Sequence, residues 1–269
     1  MSSEPEHKTT YYPDGSIKRE DWQQGGKYHR DNAPAVTWYN EDGSVESEEW
    51  WQHGKKHRDG GPAITWYNED GSIWLEEWYQ AGKHHREDGP DWIRYYSDGS
   101  IECEKWYQDG VLHRVGAPAI TWYNQDGSIQ SEYWYQDGWS HREDGPAVTE
   151  RYKNGNTYRE EWYQHGRTHR DGGPAEIWYN QDGTVKHESW WQDGWWHRDD
   201  GPAEIWYNQD GSIAREDWYQ RGNLHRVNGP AITAYHEDGS VWKEEWWQHG
   251  ERVTPPSLDL SVPEGGVEL

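Results

Sequence analysis

The sequence repeats at a fixed interval without drift. "HRDGGPAITWYNEDGSIWLEEWYQAGKH" (57–84) is followed at once by "HREDGPDWIRYYSDGSIECEKWYQDGVL" (85–112). His-Arg pairs begin at His29, His57, His85, His113, His141, His169, His197 and His225, each step being 28 residues. Asp-Gly turns from Asp14 to Asp238 and prolines from Pro34 to Pro230 keep the same step, with Asn154 in one Asp position. Three series never vary over nine members: Glu20 to Glu244, Trp22 to Trp246 and Gln24 to Gln248. A unit whose length never changes has to stack on its neighbours, because an inserted residue would break the ladder.

Within each unit the spacing predicts strands. Apolar residues alternate over short stretches rich in β-branched and aromatic side chains, separated by glycine turns. "ITWYN" (64–68) reads as a strand, "NEDGS" (68–72) as a turn with Gly71 at positive φ, and "SIWLEEWYQ" (72–80) as the returning strand. Gly82 turns the chain again. Identical repeats keep one sense along a stack, so "GKHHREDGPDWIRYY" reads as one long leg bent at Gly89-Pro90, where proline cannot donate to a ladder. Slot parity flips between Ile73 and the every-second-residue series Glu76, Trp78, Gln80, which predicts a bulge or bend in the second leg. Two legs bent at one height would fold the sheet, with Trp78-type residues packed against Tyr67-type residues.

The expected fold is therefore all-β: an elongated solenoid of about nine stacked antiparallel hairpin units, with a bent sheet and an aromatic core. Two strands per unit advance about 10 Å, giving a rod of roughly 85 Å. Residues 1–9 read as a flexible N-terminus, 10–250 as one repeat domain, and 251–269 as an acidic, Pro-rich tail. The slot of Val36 and Ile64 accepts Glu176 and Glu204, and the slot of Trp38 and Trp66 accepts Arg94, Glu150 and Ala234, so both are expected to face outward. The always β-branched slot of Thr37, Ile93 and Ile205 is expected to face inward with Tyr39, Tyr67 and Tyr123.

Composition narrows the function. Of 269 residues, 26 are Lys or Arg and 50 are Asp or Glu, a net charge of −24, which disfavours nucleic acid and anionic lipid as partners and favours a basic protein. Only 31% is hydrophobic, yet there are 23 Trp and 19 Tyr, too many aromatics for a disordered acidic chain. With the single Cys103 no internal disulfide can form. The N-terminal "MSSEPEHKTT" lacks an apolar signal region, and no run approaches membrane-spanning length, so a cytoplasmic location without membrane insertion is expected.

The recurring His-Arg pairs do not suggest a metal or cofactor, since equivalents one unit apart cannot gather around one ion. Carboxylates recurring nine times exceed what one active site requires, and no phosphate loop or nucleophile elbow is present, so no catalytic residue is assigned. A structural ladder is expected instead. Arg58 and Arg86 would pair with Glu48 and Glu76, since a buried carboxylate needs a partner. Gln52 and Gln80 would bridge neighbouring units through their amides. A two-residue turn at Gly82 would set Trp78 opposite His85, and a three-residue loop would set it opposite Arg86; Trp50 and its equivalents would follow the same geometry. Either way a cation or imidazole can cover the indole.

An aromatic strip is the binding candidate. Trp38, Trp66, Trp122, Trp178 and Trp206 occupy the charge-tolerant slot. Trp51, Tyr79, Tyr107, Tyr135, Tyr163, Trp191, Tyr219 and Trp247 follow the invariant tryptophan, and Trp139, Trp195 and Trp196 extend the strip at the glycine turns. Such rows either form a contact surface or pair across strands and cover the sheet; the sequence leaves both open.

The motifs "GKHHREDGP", "YYSDGSI" and "EKWYQDG" resemble the MORN-repeat variant of YwqK-type antitoxin proteins, and similar His-Arg-x-Asp-Gly-Pro-Ala repeats occur in proteins of giant DNA viruses. The resemblance covers residues 11–250 and implies stacked β-hairpins, interaction roles and no catalytic residue. The expected function is a non-enzymatic scaffold holding a protein partner through an acidic, aromatic-rich surface. The alternatives are an antitoxin neutralising a toxin, a glycan-binding module, and a self-associating structural module.

Overall fold

A computed structural model describes residues 4–255. In the unit quoted above, Ile64–Tyr67 runs out, residues 68–72 turn and Ile73–Glu77 returns. The turn is fixed by its own polar groups: Asp70 Oδ1 accepts from Ser72 N–H (2.9 Å), and Gly71 takes φ 82°. The two strands pair antiparallel with Thr65 opposite Glu76 and Trp66 opposite Leu75, and the register then slips to set Tyr67 opposite Ile73. Trp74 is thus the extra residue of a bulge.

The outer edge of Ile73–Glu77 pairs with the next unit's Trp92–Tyr95, Ile93 lying opposite Glu76. Repetition of these two pairings builds one antiparallel sheet of 19 strands from Glu6–Tyr11 to Val241–Glu245, one of them the two-residue Lys27–Tyr28. The molecule is an all-β, elongated stack of hairpin units, as its period requires.

The sheet ends differently from the sequence-based expectation at two places. Glu6–Tyr11 is already a strand paired with Ile17–Gln24, so the repeat domain begins before residue 10. Glu251–Arg252 pairs with Trp247–Gln248, which carries it past residue 250. Backbone pairing outweighs the charged composition at both ends. The tail from 256 and residues 1–3 lie outside the described residues.

The long legs are also interrupted. "SIWLEEWYQ" breaks at Trp78 into Ile73–Glu77 and Tyr79–Gln80, and Tyr79–Gln80 pairs only with Lys83–His84 across a two-residue turn. Ala81 (φ 50°) and Gly82 (φ 86°) both occupy the left-handed region, the type I′ geometry that matches strand twist. His85 N–H therefore bonds Trp78 O at 3.0 Å, the two-residue alternative. Residues 85–91 form no strand, because Gly89-Pro90 cannot sustain a ladder.

Alternation sorts the side chains onto two faces. One carries Thr65, Tyr67, Glu76 and Trp78; the other carries Ile64, Trp66, Leu75, Glu77 and Tyr79. The first is a spine that repeats nearly unchanged from unit to unit. Arg86 lies 4.0 Å above the Trp78 ring and donates Nη1–H to Pro90 O at 3.3 Å. Equivalent arginines cover Trp50, Trp106, Trp134, Trp162, Trp190 and Trp218 at 3.8–4.0 Å. A Cβ on Gly89 would come within 2.7 Å of the Arg86 guanidinium; where the slot holds Ala33 or Ala117, Arg30 and Arg114 still reach Pro34 O and Pro118 O at 3.2 Å. Trp78 packs on arginine, not on Tyr67-type rings.

The invariant glutamate has another partner than the expected arginine. Tyr67 donates to Glu48, Tyr95 to Glu76 and Tyr123 to Glu104 at 2.9–3.1 Å, each bond crossing from one unit to the preceding one. Tyr39, Tyr179, Tyr207 and Tyr235 repeat this bond. Where tyrosine gives way to Arg151, the guanidinium holds Glu132 at 2.7 Å, so every junction supplies a donor. Arg58 and Arg86 are committed to indole and proline carbonyl, so they form no ion pair with Glu48 or Glu76. The glutamine bridge is replaced by backbone: Gln80 is exposed, and Gly82 N–H bonds Lys56 O of the preceding unit at 2.9 Å.

Burial and the neighbouring carboxylates push the phenols of Tyr39, Tyr67, Tyr123 and Tyr207 up from 10 to about 12. A folded pKa above the unfolded one means that this stabilisation is intact below pH 10 and is lost as pH rises towards 12. Tyr123→Phe leaves Glu104 without its donor and is expected to cost about 1–3 kcal/mol. Thermal melts at pH 8 and pH 11.5 check both statements: the wild type should weaken sharply between them, and the variant should be weaker at pH 8 and lose less.

Candidate functional site

The second face differs from unit to unit, and there the sequence-derived strip assembles. Its two rows run along the stack, the Leu75 slot alternating with the tryptophan slot in the first row and the Ile64 and Glu77 slots lying between the rows. Arg19 links the rows at the first unit, its guanidinium 4.8 Å from the Trp38 ring and 5.5 Å from Tyr28, which pairs in turn with Trp51 at 5.5 Å between centroids. The strip residues Trp38, Trp66, Trp122 and Trp178 are half-buried, as are Trp51, Tyr79, Tyr107, Tyr135, Tyr163, Trp191, Tyr219 and Trp247; Trp206 is 39% exposed. The ladder residues Trp50, Trp78, Glu48 and Glu76 lie on the opposite face.

The outward assignment of the Val36 slot is overturned. Val36 and Ile64 are 2% and 4% exposed. Val36 and Ile64 lie opposite Glu49 and Glu77 between the two rows, and Ser47 and Cys103, which alternate with the tryptophan slot, are at 0% exposure. The slot is half-open where it carries Trp92, Ile120, Glu176 or Glu204.

Carboxylates organise this face. Glu77 accepts from Tyr79 at 2.8 Å, Glu49 from Trp51 Nε1 at 2.9 Å and Glu245 from Trp247 Nε1 at 3.0 Å. Ring faces are taken as well. His84 sits 4.1 Å from Tyr79 and stacks at 4.4 Å on Tyr107, and Trp196 bridges Trp191 and Tyr219 at 4.8 and 5.0 Å. Further along, Arg159 reaches Glu161, Glu150 and Glu176, and Arg215 holds Asp217 at 2.8 Å. Burial raises the Glu161 and Asp217 carboxyls in spite of these arginines.

A cleft of about 540 Å³ opens on this face, lined by Glu102, Trp122, Gln130, Ser131, Tyr133, Glu150, Arg151 and Tyr158. It exists because the tryptophan of the strip gives way to Glu150. Tyr133 closes one side by donating to Glu150 at 2.8 Å, and burial with that bond lifts its phenol to about 12. Glu102 holds Arg94 in a bidentate pair at 2.5 and 2.6 Å. Sequence reasoning missed Glu102, Gln130 and Tyr158, which occupy the bulge position of their units. Their signal was present as a slot varying freely after the β-branched position of Ile101, Ile129 and Thr157.

Smaller clefts of about 290–330 Å³ recur on the spine face between successive His-Arg loops; Arg58, Trp78, Gln80, His85 and Arg86 line one, and equivalent residues line the others. Their histidines do structural work. His57 Nδ1 accepts the Ala81 N–H of the next turn at 3.1 Å, and its Nε2 lies 3.3 Å from Asp59. At the glycine turns Trp139 and Trp195 are 62% and 63% exposed and lie over Gly166 and Gly222 of the following units. They extend the turn edge of the stack, whereas Trp196 joins the strip.

No protein-family model matches the chain, and no curated protein matches it. Among solved structures, the chain is similar to a Tc holotoxin pore of Photorhabdus luminescens at 12% identity and TM-score 0.20, covering 90% of this chain and 14% of that one. It is similar to choline binding protein F of Streptococcus pneumoniae at 12% identity and TM-score 0.17, covering 94% of this chain and 71% of that one. An alternansucrase in complex with isomaltononaose aligns at 10% identity and TM-score 0.17, over 87% of this chain and 18% of the enzyme. Likenesses at this level carry no argument about function.

Proposed function

We propose that the chain is a non-enzymatic scaffold that holds a basic protein partner on its variable face. One observation carries this reading: change between units concentrates on one face of the sheet, while the other repeats the same bonds rung after rung. A wholly structural stack would have no reason to treat its faces differently. Exposed Trp206, the cleft beside Glu150 and the half-buried carboxylates Glu49, Glu77, Glu176 and Glu204 give that face the character of an acidic docking surface with aromatic anchors. A basic toxin is one partner of this chemistry, in keeping with the antitoxin-like motifs. A protein fits better than a glycan, because Tyr79, Tyr107, Trp191 and Tyr219 already spend their ring faces on neighbours.

The test is affinity capture from extracts of the source organism with three baits: the wild type, Trp206→Ala/Gln130→Lys on the variable face, and Asp70→Asn at a turn. A basic protein held by the wild type and the turn variant, released by salt and lost from the face variant, supports the reading. Equal capture by all three, or retention of the wild type on polysaccharide alone, contradicts it.

A further inference from the structure

The two ends of the sheet are unlike, and each resembles one half of an internal junction. Inside the stack, a junction joins a returning strand such as Ile73–Glu77 to an outgoing strand such as Trp92–Tyr95. Glu76 lies opposite Ile93 and accepts from Tyr95 at 2.9 Å, and Trp78 N–H bonds Asp91 O at 2.7 Å.

At one end Glu6–Tyr11 is an outgoing strand. Thr9 lies opposite Glu20 and Tyr11 opposite Ile17, so Thr9 stands where Thr37 stands and Tyr11 where Tyr39 stands. Tyr11 is 60% exposed. At the other end Val241–Glu245 is a returning strand paired on one side with Ile232–Tyr235. Glu244 occupies the invariant glutamate slot and is exposed, and among the described residues it has no tyrosine to serve it.

We propose that these ends dock on each other, so that copies of the chain assemble head to tail and continue the sheet from one molecule into the next. The internal register transfers directly. Glu244 comes opposite Thr9, Tyr11 supplies the missing hydroxyl to Glu244, and Trp246 N–H points to the His7 carbonyl. Lys8 comes opposite Glu245, an opposite-charge pair directly across strands, which favours this register over a slip. Unpaired edge strands are templates for such addition. The contact is heterologous and the strands advance along one axis, so it yields open filaments and not closed rings.

Charge exchange at the two ends tests this with the full chain. Lys8→Glu and Glu245→Lys each set like charges opposite one another in a junction between identical copies. Mixing the two variants restores an opposite-charge pair at every junction between unlike copies, whichever copy contributes the outgoing strand. Sedimentation velocity over a concentration series is expected to show a rising coefficient for the wild type, a constant monomer value for each variant alone, and recovered association in the equimolar mixture. Melting curves matching the wild type confirm that each variant is folded. A wild type that stays monomeric at all concentrations, variants that associate like the wild type, or a mixture that fails to associate would each overturn the proposal.

Discussion

Trp134→Ala is expected to lower the unfolding free energy by about 2–3 kcal/mol, below the cost of emptying a fully buried aromatic site because the ring is half-buried. For a chain of this size that is a fall in Tm of roughly 5 °C. The indole holds Arg142 at 3.9 Å, and its backbone N–H bonds Ala147 O of the next unit at 2.7 Å. Its removal strips a cation of its cover as well as opening a cavity. Trp246→Ala should cost much less, because no arginine covers that ring among the described residues and the rung lies at an end of the sheet. Since each unit contacts only its neighbours, the mid-stack change should also broaden the transition, the two halves melting apart. Thermal denaturation followed by circular dichroism distinguishes the two variants; equal losses would mean that the indoles are not sites in one repeating spine.

Removing a whole unit should harm the molecule less than removing one residue. Excision of residues 113–140 joins Leu112 to His141, a link of the same kind as the natural Leu112–His113 step, and leaves every strand register intact. The shortened chain should fold with a modest loss of stability, one nearest-neighbour term having gone. Deleting Glu132 alone slips all that follows by one residue within its strand, and a one-residue slip sends every side chain to the opposite face. Tyr133 would then take the glutamate's place on the spine. This variant should lose the cooperative melt of the central units. If the single deletion is tolerated as well as the 28-residue excision, strict stacking is the wrong description.

Much of this architecture is legible in the period. Constant unit length gave the stack, the parity flip after Ile73 gave a bulge or bend, which falls as a bulge at Trp74, and Gly82 marked the second turn but not its two-residue length. The glutamate's partner was not legible. Its donor lies 19 residues further on, across a junction whose register no pattern within one unit reveals. A search for a cation in every unit points to Arg86, although indole and proline carbonyl claim that guanidinium first. The Val36 slot misleads for a similar reason: Glu176 and Glu204 mark it as tolerant, but it lies between the two rows, where Val36 and Ile64 are buried. The cleft beside Glu150 needed the bulge geometry, because side-chain direction at Glu102 and Gln130 cannot be read from alternation once the alternation has slipped.

Small-angle X-ray scattering, extrapolated to zero concentration, tests the stack most directly. Eighteen long strands spaced about 4.8 Å apart give a length near 85 Å and a radius of gyration of about 26 Å. A globule of the same chain length would measure about 18 Å. A value in the mid-twenties with a rod-like distance distribution is the expected result, and a value near 18 Å with a symmetric distribution would contradict a single sheet propagated unit by unit along one axis.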